Sequence, residues 1–297
     1  MQEITWRDGK AVIPRVEFYR NNTCNLTCDH CNRFNNHHFT GWQDWKDYEA
    51  DIRLWAKYIE IDTIVFMGGE PLLNPSIIDW VKGINEIFGK RVNILTNGTR
   101  LTKVKGLYDL MTWDDSHGDR NWIGVSWHNL EDRSIIDNVK NFLVEPITET
   151  GQFEMGSDMT YADANYAVVR VYVQNEFGLC SVIPNGKGHW TLWNNDPNES
   201  HKTCSFHLGR NYHMIKGKLY KCGPAALLPE FDEQHTLDIS EEDRQLLYQY
   251  EPLSPQDFET RGKEFLDNIN DVIPQCKFCP IGWQNDPDVI YPTIKNK

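Results

Sequence analysis

The first 130 residues alternate between short apolar stretches and segments with helical spacing. Trp45, Tyr48, Ile52, Trp55, Ala56 and Ile59 recur at intervals of three and four, as one buried helix face requires. Apolar stretches predict strands at 15–19, 62–67, 91–96 and 122–127, and helices are predicted at 75–88 and 101–112. This β-α-β-α order is typical of a parallel sheet, whose ligand sites lie at the carboxyl ends of the strands.

The pattern changes after residue 143. Residues 166–173 are β-branched and alternating, which predicts a strand, and 179–183 form a second candidate. No pattern assigns the segment 144–165 to an element. Further on, residues 212–221 read as a β-hairpin with a Lys-Gly turn.

Three cysteines follow the first strand with the spacing C-x3-C-x2-C: Cys24, Cys28 and Cys31. Three thiolates this close in sequence can bind three irons of a [4Fe–4S] cluster, which normally takes four protein ligands. The fourth iron would then be open to a substrate or cofactor. The alternative is a structural zinc site that combines Cys28 and Cys31 with a nearby histidine, His30, His37 or His38.

Polar or glycine-rich turns follow three of the predicted strands. Gly68, Gly69 and Glu70 end the strand at 62–67, where glycines allow close approach of the backbone and a carboxylate can accept hydrogen bonds from an ammonium group. Asn97 follows the strand at 91–96 within a Thr-Asn-Gly-Thr turn, and Ser126 lies near the end of the strand at 122–127. These positions all fall at the edge of the sheet where ligand sites form.

Together and in this order, the four motifs resemble the signature of the radical S-adenosylmethionine (radical SAM) superfamily. The resemblance implies an α/β fold, a partial (β/α)6 barrel over residues 1–195. It also implies a [4Fe–4S] cluster on the three N-terminal cysteines, with the open iron chelated by the methionine part of S-adenosylmethionine (SAM).

The resemblance further assigns roles to residues at the strand ends. Gly68, Gly69 and Glu70 would hold the SAM methionine amine. Asn97 and Ser126 would line the SAM ribose and carboxylate. His30 takes the position that is often aromatic in the family and packs on the adenine; an imidazole can still stack there.

Four further cysteines have informative spacing: Cys204, Cys222, Cys276 and Cys279. The predicted hairpin would bring Cys204 and Cys222 together, and C-x2-C pairs frequently bind metal. The set alone favours zinc and iron–sulfur equally. It resembles the shortened SPASM domain called Twitch, which implies a small α+β domain over residues 196–297 with one auxiliary [4Fe–4S] cluster.

The remaining cysteine, Cys180, lies on a candidate strand. A small buried residue is one interpretation. The other is a catalytic hydrogen-atom donor that quenches a substrate radical.

The chain has 297 residues and a formal net charge of −13, which disfavours bulk nucleic-acid binding because Lys and Arg supply most of that affinity. No apolar stretch is long enough for a membrane helix, and the N-terminus lacks the pattern of a secretory signal. We therefore expect a cytoplasmic protein with reduced thiols and no membrane partner.

The resemblance implies reductive cleavage of SAM to a 5′-deoxyadenosyl radical that abstracts a hydrogen atom from a small-molecule or peptide substrate. A built-in electron acceptor favours an oxidative outcome, and the alternative is a redox-neutral epimerase or isomerase with Cys180 as hydrogen donor. An electron donor such as flavodoxin or ferredoxin is implied. A non-catalytic zinc or iron–sulfur binding protein is the interpretation of another class.

Overall fold

A computed structural model of the chain describes residues 4–28, 31–113, 118–129, 131–144, 146–150, 159–163, 165, 167–173, 180–282 and 295–296. The strands are β1 (Thr5–Arg7), β2 (Lys10–Tyr19), β3 (Leu26–Thr27), β4 (Ile59–Met67), β5 (Val92–Thr96), β6 (Trp122–Trp127), β7 (Pro146–Thr150), β8 (Met159–Asp163), β9 (Val168–Val173), β10 (Val182–Pro184), β11 (Trp190–Leu192), β12 (Tyr212–Ile215), β13 (Lys218–Tyr220) and β14 (Lys295–Asn296).

The helices are α1 (Trp45–Tyr58), α2 (Ile77–Phe88), α3 (Leu107–Leu110), α4 (Ser134–Phe142), α5 (Pro197–Lys202), α6 (Ser205–Gly209), α7 (Gly223–His235), α8 (Glu241–Tyr248) and α9 (Lys263–Asp267). Short 3₁₀ turns occur at Asn35–His37, Pro71–Leu73, Leu101–Lys103, Pro255–Asp257 and Pro274–Phe278, and a π-helical turn at Phe258–Gly262. No helix among the described residues is both long enough and apolar enough to cross a membrane.

The centre of the fold is a mixed sheet of ten strands, with the order β13-β12-β2-β4-β5-β6-β9-β8-β7 and β1 beside β2. The five strands from β2 to β9 in that order run parallel, as the sequence predicts. The α/β class, a mixed sheet with helices, is thereby confirmed. The segment 144–165 contributes two antiparallel strands, β7 and β8, next to β9.

Two strands differ from the expected barrel. The candidate at 179–183 corresponds to β10, which pairs with β11 in a separate antiparallel hairpin with Val182 opposite Leu192. A further parallel neighbour of β2 comes instead from β12, with Tyr212 opposite Val16. The predicted hairpin β12–β13 is confirmed, and positive φ angles of 49° and 72° at Lys216 and Gly217 form its turn.

Helices α1 and α2 cover the sheet with the apolar faces that the sequence predicts. In α2 the buried positions include Ile77, Trp80, Val81 and Ile84, each of which contributes about 1.5–3 kcal/mol through burial. Gly89 ends α2 in the left-handed conformation, with φ 60°. This packing fixes the strands whose carboxyl ends carry the candidate site.

Candidate functional site

The N-terminal cysteines lie in the loop that leaves the carboxyl end of β2. Cys28 is buried, and Cys24 and Cys31 are half-buried. The amide of Leu26 donates to Cys24 Sγ at 3.4 Å, and Asn35 Nδ2 donates to Cys31 Sγ at 3.9 Å. A metal-bound thiolate can accept such hydrogen bonds, so both contacts are compatible with these cysteines as cluster ligands.

The two glycines after β4 allow that strand end to touch the cysteine loop. The amide of Gly69 donates to Asn21 O at 2.7 Å, and that of Glu70 donates to Thr23 O at 2.9 Å. A Cβ atom on Gly69 would lie 2.3 Å from Thr23 O, and one on Gly68 would lie 2.6 Å from Asn21 O. Any side chain at either position would therefore push the cysteine loop away from the sheet.

Glu70 ties the ends of β4 and β5 together. Its carboxylate is fully buried and accepts hydrogen bonds from the amide of Leu72 at 2.9 Å, the hydroxyl of Thr96 at 2.6 Å and the amide of Asn97 at 2.7 Å. Burial raises the pKa of Glu70, while these hydrogen bonds act in the opposite direction. The described contacts of the carboxylate are thus within the chain, and contact with a SAM amine stays a prediction.

Asn97 joins the end of β5 to the cysteine loop. Its Nδ2 donates to Asn25 Oδ1 at 3.0 Å and approaches Cys24 Sγ at 3.9 Å. The side-chain oxygen of Asn97 accepts from the amide and hydroxyl of Thr99 at 3.1 and 2.6 Å. Ser126 lies half-buried near the end of β6, on the same edge of the sheet. The predicted stacking residue His30 lies outside the described residues.

His37, one of the histidines considered for a zinc site, is engaged elsewhere. It is buried, and its Nδ1 accepts a hydrogen bond from Trp190 Nε1 at 2.8 Å. Burial, together with the nearby His235 and His38, lowers the pKa of His37 to about 4. Because its Nδ1 accepts from Trp190, His37 has a structural role in the packing between the loop and β11.

Comparison with known families covers the same part of the chain. Residues 19–146 match the model of the Radical SAM superfamily. This segment is therefore similar to a radical SAM domain. The matched range holds the three N-terminal cysteines and the ends of β4, β5 and β6, so the family match and the convergent strand ends concern the same site.

Named relatives match only part of this chain. An S-adenosylmethionine-dependent nucleotide dehydratase from Flammeovirga pacifica is 30% identical over 129 residues, which is 40% of this chain and 39% of the relative. The match therefore spans about two fifths of that relative's length. SAM-bound SuiB from Streptococcus suis is 17% identical, with a TM-score of 0.32, over 43% of this chain and 28% of SuiB. SuiB with its precursor peptide SuiA is 18% identical, with a TM-score of 0.31, over 42% and 27%.

C-terminal to the matched residues 19–146, the four remaining predicted ligands line one cavity. Cys204 precedes α6, Cys222 precedes α7, and Cys276 and Cys279 flank the end of a 3₁₀ turn. Among the described residues, no three His, Cys, Asp or Glu groups are arranged to hold a single metal ion. The fold brings these four thiols into one cavity although Cys204 and Cys279 are 75 positions apart in the sequence.

The donor chemistry of this cavity, four half-buried thiols, fits the ligands of an iron–sulfur cluster. Burial raises the pKa of Cys222 to about 12 and also raises those of Cys276 and Cys279. Buried thiolates are unfavourable without a positive partner, and metal coordination supplies one. Lys221 also lines the cavity, but its ammonium group donates to the backbone carbonyls of Ile269, at 2.8 Å, and Asp271.

Cys180 lies between the two cysteine sets. Its thiol is fully buried and donates to the backbone oxygen of Cys31 at 3.3 Å. Burial raises the pKa of Cys180 well above its ordinary value. The structure thus places Cys180 against the cysteine loop, and its role as hydrogen-atom donor stays a prediction.

Sequence reasoning missed the residues that hold the cysteine loop in place. Asn21, Asn25 and Asn35 each bond the loop or a strand end, and Ser181 contacts Cys279. The richness of the loop in asparagine was the available signal, because asparagine side chains commonly satisfy the backbone of irregular segments.

Proposed function

We propose that the protein is a radical SAM enzyme with a [4Fe–4S] cluster on Cys24, Cys28 and Cys31 and a second one on Cys204, Cys222, Cys276 and Cys279. It cleaves SAM reductively and abstracts a hydrogen atom from a small-molecule or peptide substrate. An oxidative outcome is favoured. The redox-neutral alternative, an epimerase or isomerase, uses Cys180 as hydrogen donor.

One observation carries the proposal: the ends of β4 and β5 bond directly to the cysteine loop. Gly69 and Glu70 hold the loop through Asn21 and Thr23, and Asn97 reaches Asn25. A structural zinc site needs only the cysteine loop and does not require two strand ends packed against it. A cofactor that is bound by both the loop and the strand ends does require this close packing.

The residues of the chain would orient and shield the cofactors. When bound, the N-terminal cluster supplies one electron for cleavage of the SAM carbon–sulfur bond. The absence of side chains at Gly68 and Gly69 lets the strand end pack directly against the cysteine loop, and Asn97 and Ser126 offer polar groups at the same edge. Burial of the surrounding side chains limits access of water to reactive species.

The second cluster supports the oxidative outcome. Four cysteine ligands leave no open iron for a substrate, so a cluster held in the C-terminal cavity would serve electron transfer or structure. Contacts of Cys180 and Ser181 connect this cavity with the N-terminal loop. An electron taken from a substrate radical would thus have an acceptor within the same fold.

The test is anaerobic reconstitution with iron and sulfide, followed by iron counting and a SAM cleavage assay with dithionite. About eight irons in the wild type, about four in a Cys24/Cys28/Cys31→Ala variant, and 5′-deoxyadenosine from the wild type alone would support the proposal. Cys180→Ala is the matched control for iron content and should still bind about eight irons. Absence of both iron and cleavage would contradict it.

Intermediate outcomes separate the two sites. About four irons with zinc present and cleavage intact would make the C-terminal site structural and favour redox-neutral chemistry.

The substrate class needs a separate screen. Nucleotides should be tested first together with peptides, because one relative is named as a nucleotide dehydratase. SAM consumption above the substrate-free rate, with a new product by mass spectrometry, would identify the class.

A further inference from the structure

Two adjacent residues, Cys180 and Ser181, contact both cysteine sites. The thiol of Cys180 donates to Cys31 O at 3.3 Å, and Ser181 Oγ lies 3.4 Å from Cys279 Sγ. Both residues are buried, with exposed fractions of 0% and 5%. A single peptide bond therefore separates a contact with the N-terminal loop from a contact with the C-terminal set.

The surroundings of this dipeptide hold it in place. Trp193 Nε1 donates to Cys180 O at 2.8 Å, and β10 begins directly after Ser181. Further along the same segment, Asn195 Nδ2 and Ser200 Oγ both donate to Cys279 O at 2.9 Å. The contact between Ser181 and the Cys279 sulfur is thus one of three contacts that this segment makes with Cys279.

We propose that Ser181 is a positioning residue that raises the reduction potential of the C-terminal cluster through its hydrogen bond to Cys279 Sγ. This inference rests on the proposed function, in which Cys279 is a cluster ligand. A metal-bound thiolate has no proton, so the Ser181 hydroxyl must donate.

The sign of the effect follows from charge. A donor to a ligating sulfur stabilises the reduced cluster, which carries one more negative charge than the oxidised one, and this makes reduction easier. The low exposure of Ser181 keeps water from replacing the bond and strengthens its electrostatic effect. Cys180, one residue away, fixes the same segment against the ligand loop of the other cluster.

The test is a redox titration of the reconstituted full-length protein, followed by electron paramagnetic resonance. The Cys24/Cys28/Cys31→Ala variant identifies the C-terminal signal. Ser181→Ala should lower the equilibrium constant for reduction of that cluster about tenfold, a shift of about 59 mV to more negative potential. Ser181→Thr, which keeps the hydroxyl, should restore the wild-type value, and the N-terminal cluster should not move.

Ser200→Ala is the matched control, because its hydroxyl bonds the backbone oxygen of Cys279 and not the sulfur. A Ser181→Ala potential equal to that of the wild type, or an equal shift in Ser200→Ala, would overturn the inference. If Ser181→Ala loses iron, Ser181→Val against Ser181→Thr repeats the comparison at nearly equal side-chain volume. Zinc in place of iron at the C-terminal site of the wild type would overturn the proposed auxiliary cluster as well, and the metal content identifies that case.

Discussion

Replacement of Glu70 by glutamine separates a structural role of this residue from a SAM-binding role. The carboxylate accepts three hydrogen bonds, from the Leu72 amide, the Thr96 hydroxyl and the Asn97 amide, and has no exposed surface. A glutamine side chain offers one acceptor oxygen and one NH2 group that can only donate. In either orientation, at least one of the two backbone amides therefore faces a donor.

The magnitude follows from these contacts. Leaving one buried amide without a partner costs about 1–3 kcal/mol, and the remaining hydrogen bonds become weaker because the acceptor is no longer charged. Removal of the buried charge offsets part of this loss of stability, since burial raises the pKa of Glu70 and so disfavours the carboxylate. We expect a net loss of about 2 kcal/mol in the free energy of unfolding.

The assay is anaerobic urea unfolding of the reconstituted protein, followed by tryptophan fluorescence, with SAM affinity measured separately. Glu60→Gln on β4, the strand that precedes Glu70, is a control, because Glu60 pairs at 3.1 Å with the exposed Arg7 and such pairs contribute at most about 1 kcal/mol. If Glu70→Gln keeps the wild-type urea midpoint and loses only SAM affinity, the structural reasoning is wrong and the carboxylate serves the cofactor.

Two further predictions concern the loop and its neighbours. Gly69→Ala places a Cβ atom 2.3 Å from Thr23 O, so we expect this variant to lose the N-terminal cluster and retain about four irons. Gly9→Ala, with open space around the added Cβ atom, should keep all irons. Full iron content in Gly69→Ala would refute the argument. His37 has its pKa lowered to about 4, so the unfolded chain binds more protons below pH 6.5 and stability falls as the pH drops from about 6.5 towards 4. His37→Phe removes the contribution of His37 to this slope but leaves the Trp190 donor unpaired; other histidines with lowered pKa values keep the remainder. Unfolding midpoints between pH 7 and 5 check this, and a slope equal to that of the wild type would contradict the assignment.

The sequence is informative wherever the decisive signal is local. The cysteine spacing and the glycines at 68–69 lie within short windows, and the helical and strand periods of the first 130 residues need only neighbouring positions. These features predicted the parallel order of β2, β4, β5 and β6 and the edge at which the strand ends converge. The motifs therefore located the edge of the sheet at which the cysteine loop and the strand ends meet.

Contacts between distant residues were not predictable in the same way. The Cys180 thiol bonds a residue 149 positions away, and no periodicity relates the two. Glu70 offers the general chemistry of a carboxylate, and only the fold shows that two amides and a hydroxyl from three other positions already satisfy it. Strands β7 and β8 escaped prediction because their sequence has no clear alternation.

A buried ion cluster joins the two cysteine regions more firmly than the sequence division at residue 195 suggests. Glu17 on β2 accepts from Arg33, two residues after the last loop cysteine, at 2.7 Å, and His213 Nε2 on β12 lies 3.0 Å from the same carboxylate. Although burial by itself raises the pKa of Glu17, His213 and Arg33 lower it to about 2.

A buried ion pair contributes little net stability, but loss of one partner costs about 3–5 kcal/mol, so the geometry that keeps all partners together is strongly preferred. The end of the cysteine loop is therefore fixed relative to the hairpin that leads to Cys222. It follows that the separation of the two cysteine sites is set by the central sheet itself, with Glu17 as the shared anchor, and not by a flexible connection between independent units.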